Sequence, residues 1–340
     1  MKRLGNLYER IISVENLQLA DKKARRGKSA SYGVRTHDKN REANILALHE
    51  ALKDKTYRTS RYDVFTVHDP KERVIYRLPY YPDRIVHHAI MNVLEPIWVR
   101  TFTHNTFSCV KGRGIEGCAR YVARKIESYK GRPLYCLKID IKKFYPSIDH
   151  EVEKRIIRRR LKDPDLLWLL DGIIDSAEGL PIGNYLSQYL ANLFLCYMMH
   201  RLNEVERVDA AEYADDIIVL ADSKERLHGI LAVLREELSG LRLTMKGNWQ
   251  IFPVAENRFD RRGRAIDYVG YKFYRRQRLI RKGIKQNFCR AAARLNRADP
   301  TPELKAYKQA VAPWLGWAKH SKSRNLLRKI IYPQYYESIL

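Results

Sequence analysis

The stretch from Ala210 to Leu220 constrains this chain more than any other. Two apolar runs meet at Tyr213-Ala214-Asp215-Asp216, which reads as two strands joined by a tight turn with adjacent carboxylates at its tip. Neighbouring carboxylates in a tight turn repel and are costly unless cations neutralise them. Alone, the tetrapeptide fits an ordinary Asp-rich turn equally well. A further acid, Asp140, ends the apolar run Leu134-Tyr135-Cys136-Leu137-Lys138-Ile139, where an unpaired charge is expensive. If the Asp140 strand lies beside the hairpin, Asp140 and Asp215 converge. Mg²⁺ prefers oxygen ligands and is commonly held by one or two carboxylates plus substrate phosphates. Two such ions about 3.5 to 4 Å apart serve an in-line phosphoryl displacement. Asp140, Asp215 and Asp216 therefore point to nucleotidyl transfer.

The flanking patterns supply a fold. Asp149 can cap a helix carrying Val152, Ile156, Ile157 and Leu161 on one face. After Gly183 a second helix places Leu186, Leu190, Leu193 and Tyr197 together. Asp222, with Glu225 three residues on, starts a third that bears Leu227, Ile230, Leu231, Leu234 and Leu238 and stops at Gly240. Strand, helices, hairpin, helix is the order of an α+β split βαβ sheet with helices on one face, leaving the other free to hold a duplex. Upstream, Val64-Phe65-Thr66-Val67 and Val74-Ile75-Tyr76 flank Asp69-Pro70-Lys71-Glu72 as a hairpin. The first 60 residues read as basic helices, and the charge run Asp21 to Lys28 fits a solvated helix end or a nucleic-acid contact equally.

Charge identifies the partner class. Lys and Arg number 64 against 39 acidic residues, a net charge of +25 on 340 residues that are 45% hydrophobic. A folded chain with that balance meets a polyanion, and nucleic acid leads. From Tyr271 to Leu340 there are 17 basic and 3 acidic residues, interleaved with Tyr271, Phe273, Tyr274, Trp314 and Trp317, as in a helical module that grips a phosphate backbone. The five cysteines show no CxxC spacing, which argues against a zinc knuckle or a disulfide scaffold. No apolar run approaches a membrane span or signal segment, so the reading is a soluble protein of a reducing compartment.

In order along the chain, the motifs resemble those of reverse transcriptases. Asp140-Ile141-Lys142-Lys143-Phe144-Tyr145 is similar to the first palm motif, Tyr213-Ala214-Asp215-Asp216 to the YxDD motif, and Asp267-Tyr268-Val269-Gly270-Tyr271 to the primer-grip hairpin. Leu78-Pro79 with Asp83-Arg84-Ile85-Val86-His87-His88-Ala89 resembles the fingers motif of bacterial and group II intron enzymes. Asn105-Thr106-Phe107-Ser108 with Lys111-Gly112-Arg113-Gly114 resembles the next one. The segment Ile182-Gly183-Asn184-Tyr185-Leu186-Ser187-Gln188 departs from the usual QGxxxSP form. It is similar to the IGxxxSQ signature of diversity-generating retroelement reverse transcriptases, which copy a template-repeat RNA and misincorporate opposite adenines.

The resemblance implies a right-hand polymerase with a split βαβ (RRM-like) palm sheet. Residues 1–133 would form N-terminal helices and fingers, 134–265 the palm with fingers helices inserted around 150–185, and 266–340 the primer grip and basic helical thumb. It implies two Mg²⁺ ions, replaceable by Mn²⁺, held by Asp140, Ile141, Asp215 and Asp216. Nucleotide contacts would come from Arg73, Lys71 and Arg77 on the fingers hairpin, from Tyr145 under the sugar, and from Ile182, Gly183 and Gln188. Ile182 stands where glutamine is usual, so loss of an amide contact would relax the base pair. Tyr268 and Gly270 would shape the primer grip, or simply the core of that hairpin. Lys319, Lys322, Arg324 and Arg328 would face phosphate. Lys246 lies near the position of the lysine that protonates pyrophosphate, although strict alignment puts Trp249 there.

Implied partners are a template-repeat RNA, the cDNA primer and product, dNTPs, and a small accessory variability protein forming an oligomeric helical barrel. The implied setting is a bacterial or phage-encoded cytoplasmic enzyme with no RNase H or endonuclease domain after the thumb. A retron or group II intron type enzyme shares the chemistry, and a catalytically silent RNA-binding protein on the same scaffold is the rival of a different class.

Overall fold

The computed structural model describes residues 3–68, 72–298, 303–331, 335–336 and 338. Among them are nine strands: β1 (Asp63–His68), β2 (Glu72–Arg77), β3 (Tyr135–Asp140), β4 (Asp209–Tyr213), β5 (Asp216–Ala221), β6 (Gln250–Pro253), β7 (Ile266–Tyr268), β8 (Tyr271–Phe273) and β9 (Arg278–Ile280). The chain divides into two compact units that interleave in sequence. The first takes Met1–Cys109, Ile141–Arg201 and Leu234–Lys246; the second takes Val110–Asp140, Leu202–Val233 and Gly247–Leu340.

The first unit is helical with one hairpin. The helix Ile85–Thr101 is apolar on nearly every side, from Ile85 and Val86 through Ile90 and Leu94 to Trp98, as an interior helix must be. It packs on Val14–Ala24 and on Tyr185–His200. The latter places Leu186, Leu190 and Leu193 inside, as their spacing predicts. Asp149 caps His150–Arg158 by accepting from the Val152 N–H at 3.0 Å. β1 and β2 pair antiparallel from Asp63 opposite Arg77 to His68 opposite Glu72, and the paired residues stay largely exposed on both faces. Asp21, in the charge run, is not at a solvated end. It is fully buried and takes the Arg25 guanidinium at 2.8 Å and the Arg41 guanidinium at 2.7 Å, because its helix turns it inward beneath Tyr80.

The second unit holds a four-stranded antiparallel sheet in the order β4-β5-β3-β6 and a three-stranded sheet β7-β8-β9. The third predicted helix runs Lys224–Gly240, and its start is capped by Ser223 rather than Asp222, since the Ser223 hydroxyl accepts from the Arg226 N–H at 3.2 Å. The expected open face of the four-stranded sheet is only partly open. β5 is buried from Ile217 to Ala221, and the Tyr268 hydroxyl donates to the carbonyls of Ala211 and Asp216 at 3.0 and 2.9 Å. The β7–β8 hairpin therefore ties onto this sheet through Ala211 and Asp216, and the Asp140 and Asp216 residues beside it remain half-exposed.

A separate apolar cluster gathers Ile280, Phe288, Tyr307, Val311, Ala318 and Leu327 from β9 and the helices Lys282–Ala298, Leu304–Lys319 and Arg324–Ile330. Of the aromatic residues interleaved with the basic ones, two fill the interior of the β7–β8 hairpin region and Trp314 packs partly on this cluster. Tyr271 and Phe273 are 1% exposed, and Trp314 lies parallel to Phe288 with ring centroids 6.0 Å apart.

Candidate active site

Strand register decides which carboxylates meet. β3 pairs with β5 so that Asp140 stands directly opposite Asp216, and Tyr213 opposite Asp216 closes the β4–β5 hairpin on its other side. Directly paired residues of an antiparallel sheet share a face. Asp140 and Asp216 therefore lie side by side on the sheet's half-open end. The partner of Asp140 is Asp216, and Asp215 takes the turn, because the hairpin closes with only Ala214 and Asp215 between its paired ends. Ala214 carries a φ of 55°, a left-handed conformation that a β-carbon disfavours and that two-residue hairpin turns demand.

Burial raises the Asp216 carboxyl above the ordinary aspartate range; Lys138 lowers it in part, and the charge of Asp140 raises it further. Lys138, two residues before Asp140 and so on the same face, reaches Asp216 Oδ1 at 3.3 Å and donates to the Asp267 carbonyl at 2.8 Å. The role of Lys138 was not anticipated from sequence. Its signal was a lone cation within an apolar strand at even spacing from an acid. Among the described residues no three His, Cys, Asp or Glu side chains gather as a ready-made metal cage.

Tyr268 is fully buried, and burial followed by nearby negative charge holds its hydroxyl protonated far above the usual tyrosine range. Val269 and Gly270 form the two-residue turn between β7 and β8 with φ of 39° and 82°. A β-carbon on Gly270 would lie 2.1 Å from the Trp317 ring. Both predicted primer-grip positions thus belong to the hairpin's packed interior. Lys319, Lys322, Arg324 and Arg328 are all exposed. Trp249 sits edge-on to His228 in the second unit, and Lys246 belongs to the first.

In the first unit, the Tyr76 N–H of β2 donates to the Ile182 carbonyl at 2.8 Å, tying the Ile182 loop to the hairpin. Gly183 has φ of 121°, and a β-carbon there would press to 2.6 Å from the Tyr76 carbonyl, so this close approach requires glycine. The half-buried Tyr145 is anchored to the same region through its carbonyl, which accepts from the Leu180 N–H at 2.9 Å. Ile182 is half-buried and Gln188 exposed. Arg73 and Arg77 are exposed on β2; Arg77 pairs with Asp63 and lies over the Phe65 ring. Lys71 lies outside the described residues. Ile141 is buried and bridges Met245.

Residues 68–272 match the reverse transcriptase (RNA-dependent DNA polymerase) family. Protein YkfC of Escherichia coli (strain K12) is 27% identical over 130 residues, which cover 35% of this chain and 34% of that protein. Among solved structures, apo telomerase from Candida tropicalis superposes with a TM-score of 0.50 at 9% identity, over 83% of this chain and 59% of that one. The chain thus spans about a third of the curated relative and under two thirds of the telomerase chain. The structural likeness shows a shared α+β polymerase fold. With the family match covering more than half of the sequence, in register with the Asp140 strand and the Tyr213–Asp216 hairpin, the chain belongs to the reverse transcriptase family.

Proposed function

We propose that this chain is an RNA-directed DNA polymerase whose chemistry centres on Asp140, Asp215 and Asp216. The observation that carries the reading is the direct opposition of Asp140 and Asp216 across paired strands, beside a hairpin turn tipped by Asp215. Reverse transcriptase domains use divalent metal ions. The donor set suits such an ion: two carboxylates share one half-open face, and the negative charge of one makes ionising the other harder, a repulsion that a hard cation relieves. Mg²⁺ is the ion this reading takes; Asp140, Asp215 and Asp216 would hold it, and it would supply charge neutralisation at the primer hydroxyl and the triphosphate. The remaining tasks fall to the protein. Lys138 holds the Asp216 carboxylate in place, and the Tyr268 hydroxyl fixes the β5 backbone beneath it.

Primer extension on a homopolymer RNA with dNTPs and Mg²⁺ tests this. Asp140→Asn and Asp216→Asn should each lower the rate by about 10²-fold or more while RNA binding persists. Extension by either variant at the parent rate would remove the carboxylates from the chemistry. Extension by neither variant nor parent, with RNA binding intact, would favour a silent binder.

The finer reading is a diversity-generating retroelement enzyme that makes adenine-mutagenised cDNA from a template-repeat RNA with a small accessory protein. It rests on the Ile182-to-Gln188 segment. The Ile182 carbonyl accepts from the Tyr76 N–H, which ties this loop to the β1–β2 hairpin, and the reading assigns the effect on the base pair to the Ile182 side chain. Ile182→Gln should reduce errors at template adenines when the cDNA is sequenced, and an unchanged error spectrum would take Ile182 out of the account. A parent enzyme without adenine bias would point to the retron or group II intron class.

A further inference from the structure

In the second unit, positive charge gathers at the end of the four-stranded sheet away from the carboxylates. Tyr135, at the start of β3, pairs with Ala221 on one side and Pro253 on the other, whereas Asp140 at the strand's finish stands opposite Asp216. Five residues of strand, roughly 17 Å at the usual rise, separate the two ends. At the Tyr135 end β6 runs on into the loop 254–265. Glu256 of that loop, Lys130 and Arg132 ahead of β3, and Arg275 and Arg276 between β8 and β9 line one cleft of about 1090 Å³. The acids here are already engaged. Glu256 takes Arg275 at 2.8 Å and Arg276 at 3.0 Å, and Asp260 takes Arg262 at 3.3 Å. Glu127 is the remaining acid on the cleft wall. Lys130, Arg132, Arg258, Arg261 and Arg264 are exposed and make no ion pair among the described residues.

The loop takes its shape from its own polar atoms. The Asp260 carboxylate accepts from the Glu256 and Arg262 N–H groups at 3.1 and 3.0 Å, and the Asn257 side-chain oxygen accepts from the Phe259 N–H at 2.9 Å. The Arg264 N–H donates to the Pro253 carbonyl at 2.8 Å, and the Ala255 N–H to the Arg264 carbonyl at 3.0 Å. A β-carbon on Gly263 would lie 2.7 Å from the Ala255 nitrogen, so glycine permits this closure. Asn and Asp fix turns in this way without an apolar core. The preformed loop holds out Phe259, which is 75% exposed, with the Arg258 guanidinium 4.5 Å from the ring centroid. A lone exposed ring needs no explanation, but here ring and cations come as a set. Phosphates answer the charge, and a base answers the ring. Arginine outnumbers lysine in the set, and a guanidinium plane both binds phosphate in bidentate fashion and stacks. RNA offers unstacked bases in its unpaired loops.

We propose that the loop 254–265 and the cleft beside it bind an unpaired loop of a structured RNA, with Phe259 stacked on a base and Arg258, Arg261 and Arg264 on phosphates. The inference rests on the RNA-copying reading and goes beyond it: with the length of β3 between this surface and the carboxylates, RNA held here is anchored rather than copied. An acidic protein is the less suitable partner. A stable protein interface needs an apolar centre, and Phe259 is the one large apolar side chain exposed in this loop and cleft.

The test is fluorescence anisotropy of the full chain over a range of salt. The probes are an RNA hairpin with an unpaired loop of about eight nucleotides, a blunt RNA–DNA duplex and a polyglutamate peptide. Phe259→Ala should weaken the hairpin about tenfold, the effect of one lost base stack, and leave the duplex as it was; Phe259→Trp should retain hairpin binding. Arg261→Gln should reduce the slope of log K against log salt for the hairpin by about 0.7. Both side chains are exposed and take no part in the hydrogen bonds that fix the loop, so these variants keep the parent Tm. Parent-like hairpin binding by Phe259→Ala, equal weakening of hairpin and duplex, or a loss confined to polyglutamate would each overturn the proposal. Because binding is read without catalysis, the two readings fail separately. A parent that extends no primer while Phe259 still governs hairpin binding sinks the polymerase reading alone. A parent that extends primers while Phe259→Ala binds the hairpin normally sinks this one alone.

Discussion

At the scale of single residues, the site depends on one cation placed beside two acids. Lys138 lowers the Asp216 carboxyl that burial and Asp140 raise, so removing Lys138 should raise that carboxyl further. Asp216 works as an anion in the proposed chemistry. A raised value means that activity falls as pH drops through it, sooner than an ordinary aspartate would allow. Lys138→Met should therefore move the acid limb of the primer-extension pH profile upward, with the loss concentrated at mildly acid pH. A limb that stays in place would mean that Lys138 only supports the Asp267 carbonyl. Sequence named all three acids and expected Asp140 to converge with Asp215, whereas the register sets Asp216 opposite Asp140. Asp140, Asp215 and Asp216 were legible because charge at the end of apolar strands is costly. That Asp140 faces Asp216 depends on register, which the hydrophobic alternation leaves open until β3 and β5 are paired.

At the scale of elements, two tight turns carry the geometry. The β7–β8 turn needs Gly270 twice over, for its positive φ and for the Trp317 ring against it. Gly270→Ala should cost about 1–3 kcal/mol in backbone strain alone, read as a lower Tm. Pairing it with Trp317→Ala should relieve the steric part and leave the strain. If the single variant melts like the parent, the turn does not hold the conformation described. The hairpins and the amphipathic helices were visible as residue patterns. The packing of Tyr271 and Phe273 was not, because an aromatic residue amid basic ones looks the same in sequence whether it stacks on bases or fills a core. The cap at Ser223 shows a similar limit, since Asp222 and Ser223 are both good capping residues and only backbone geometry chooses.

At the scale of the whole molecule, the excess of 25 positive charges makes association with nucleic acid strongly salt-dependent. Neutralising Lys319, Lys322, Arg324 and Arg328 together should reduce the log–log salt slope for duplex binding by about 0.9 for each phosphate that is no longer neutralised. Titration of a primer–template duplex over a range of salt measures this, and an unchanged slope would remove these exposed residues from the interface. Sequence by itself determined the composition of the machinery: the acids, the order of motifs, the basic terminal region, and hence the family. Each of these is a local property, a residue type at a spacing, and survives without knowledge of the fold. Tertiary structure alone decided which groups meet. The pairing of Asp140 with Asp216 and the burial of Tyr268 join residues far apart in the chain or depend on what covers them. Desolvation and cross-strand register arise only once the chain has closed on itself.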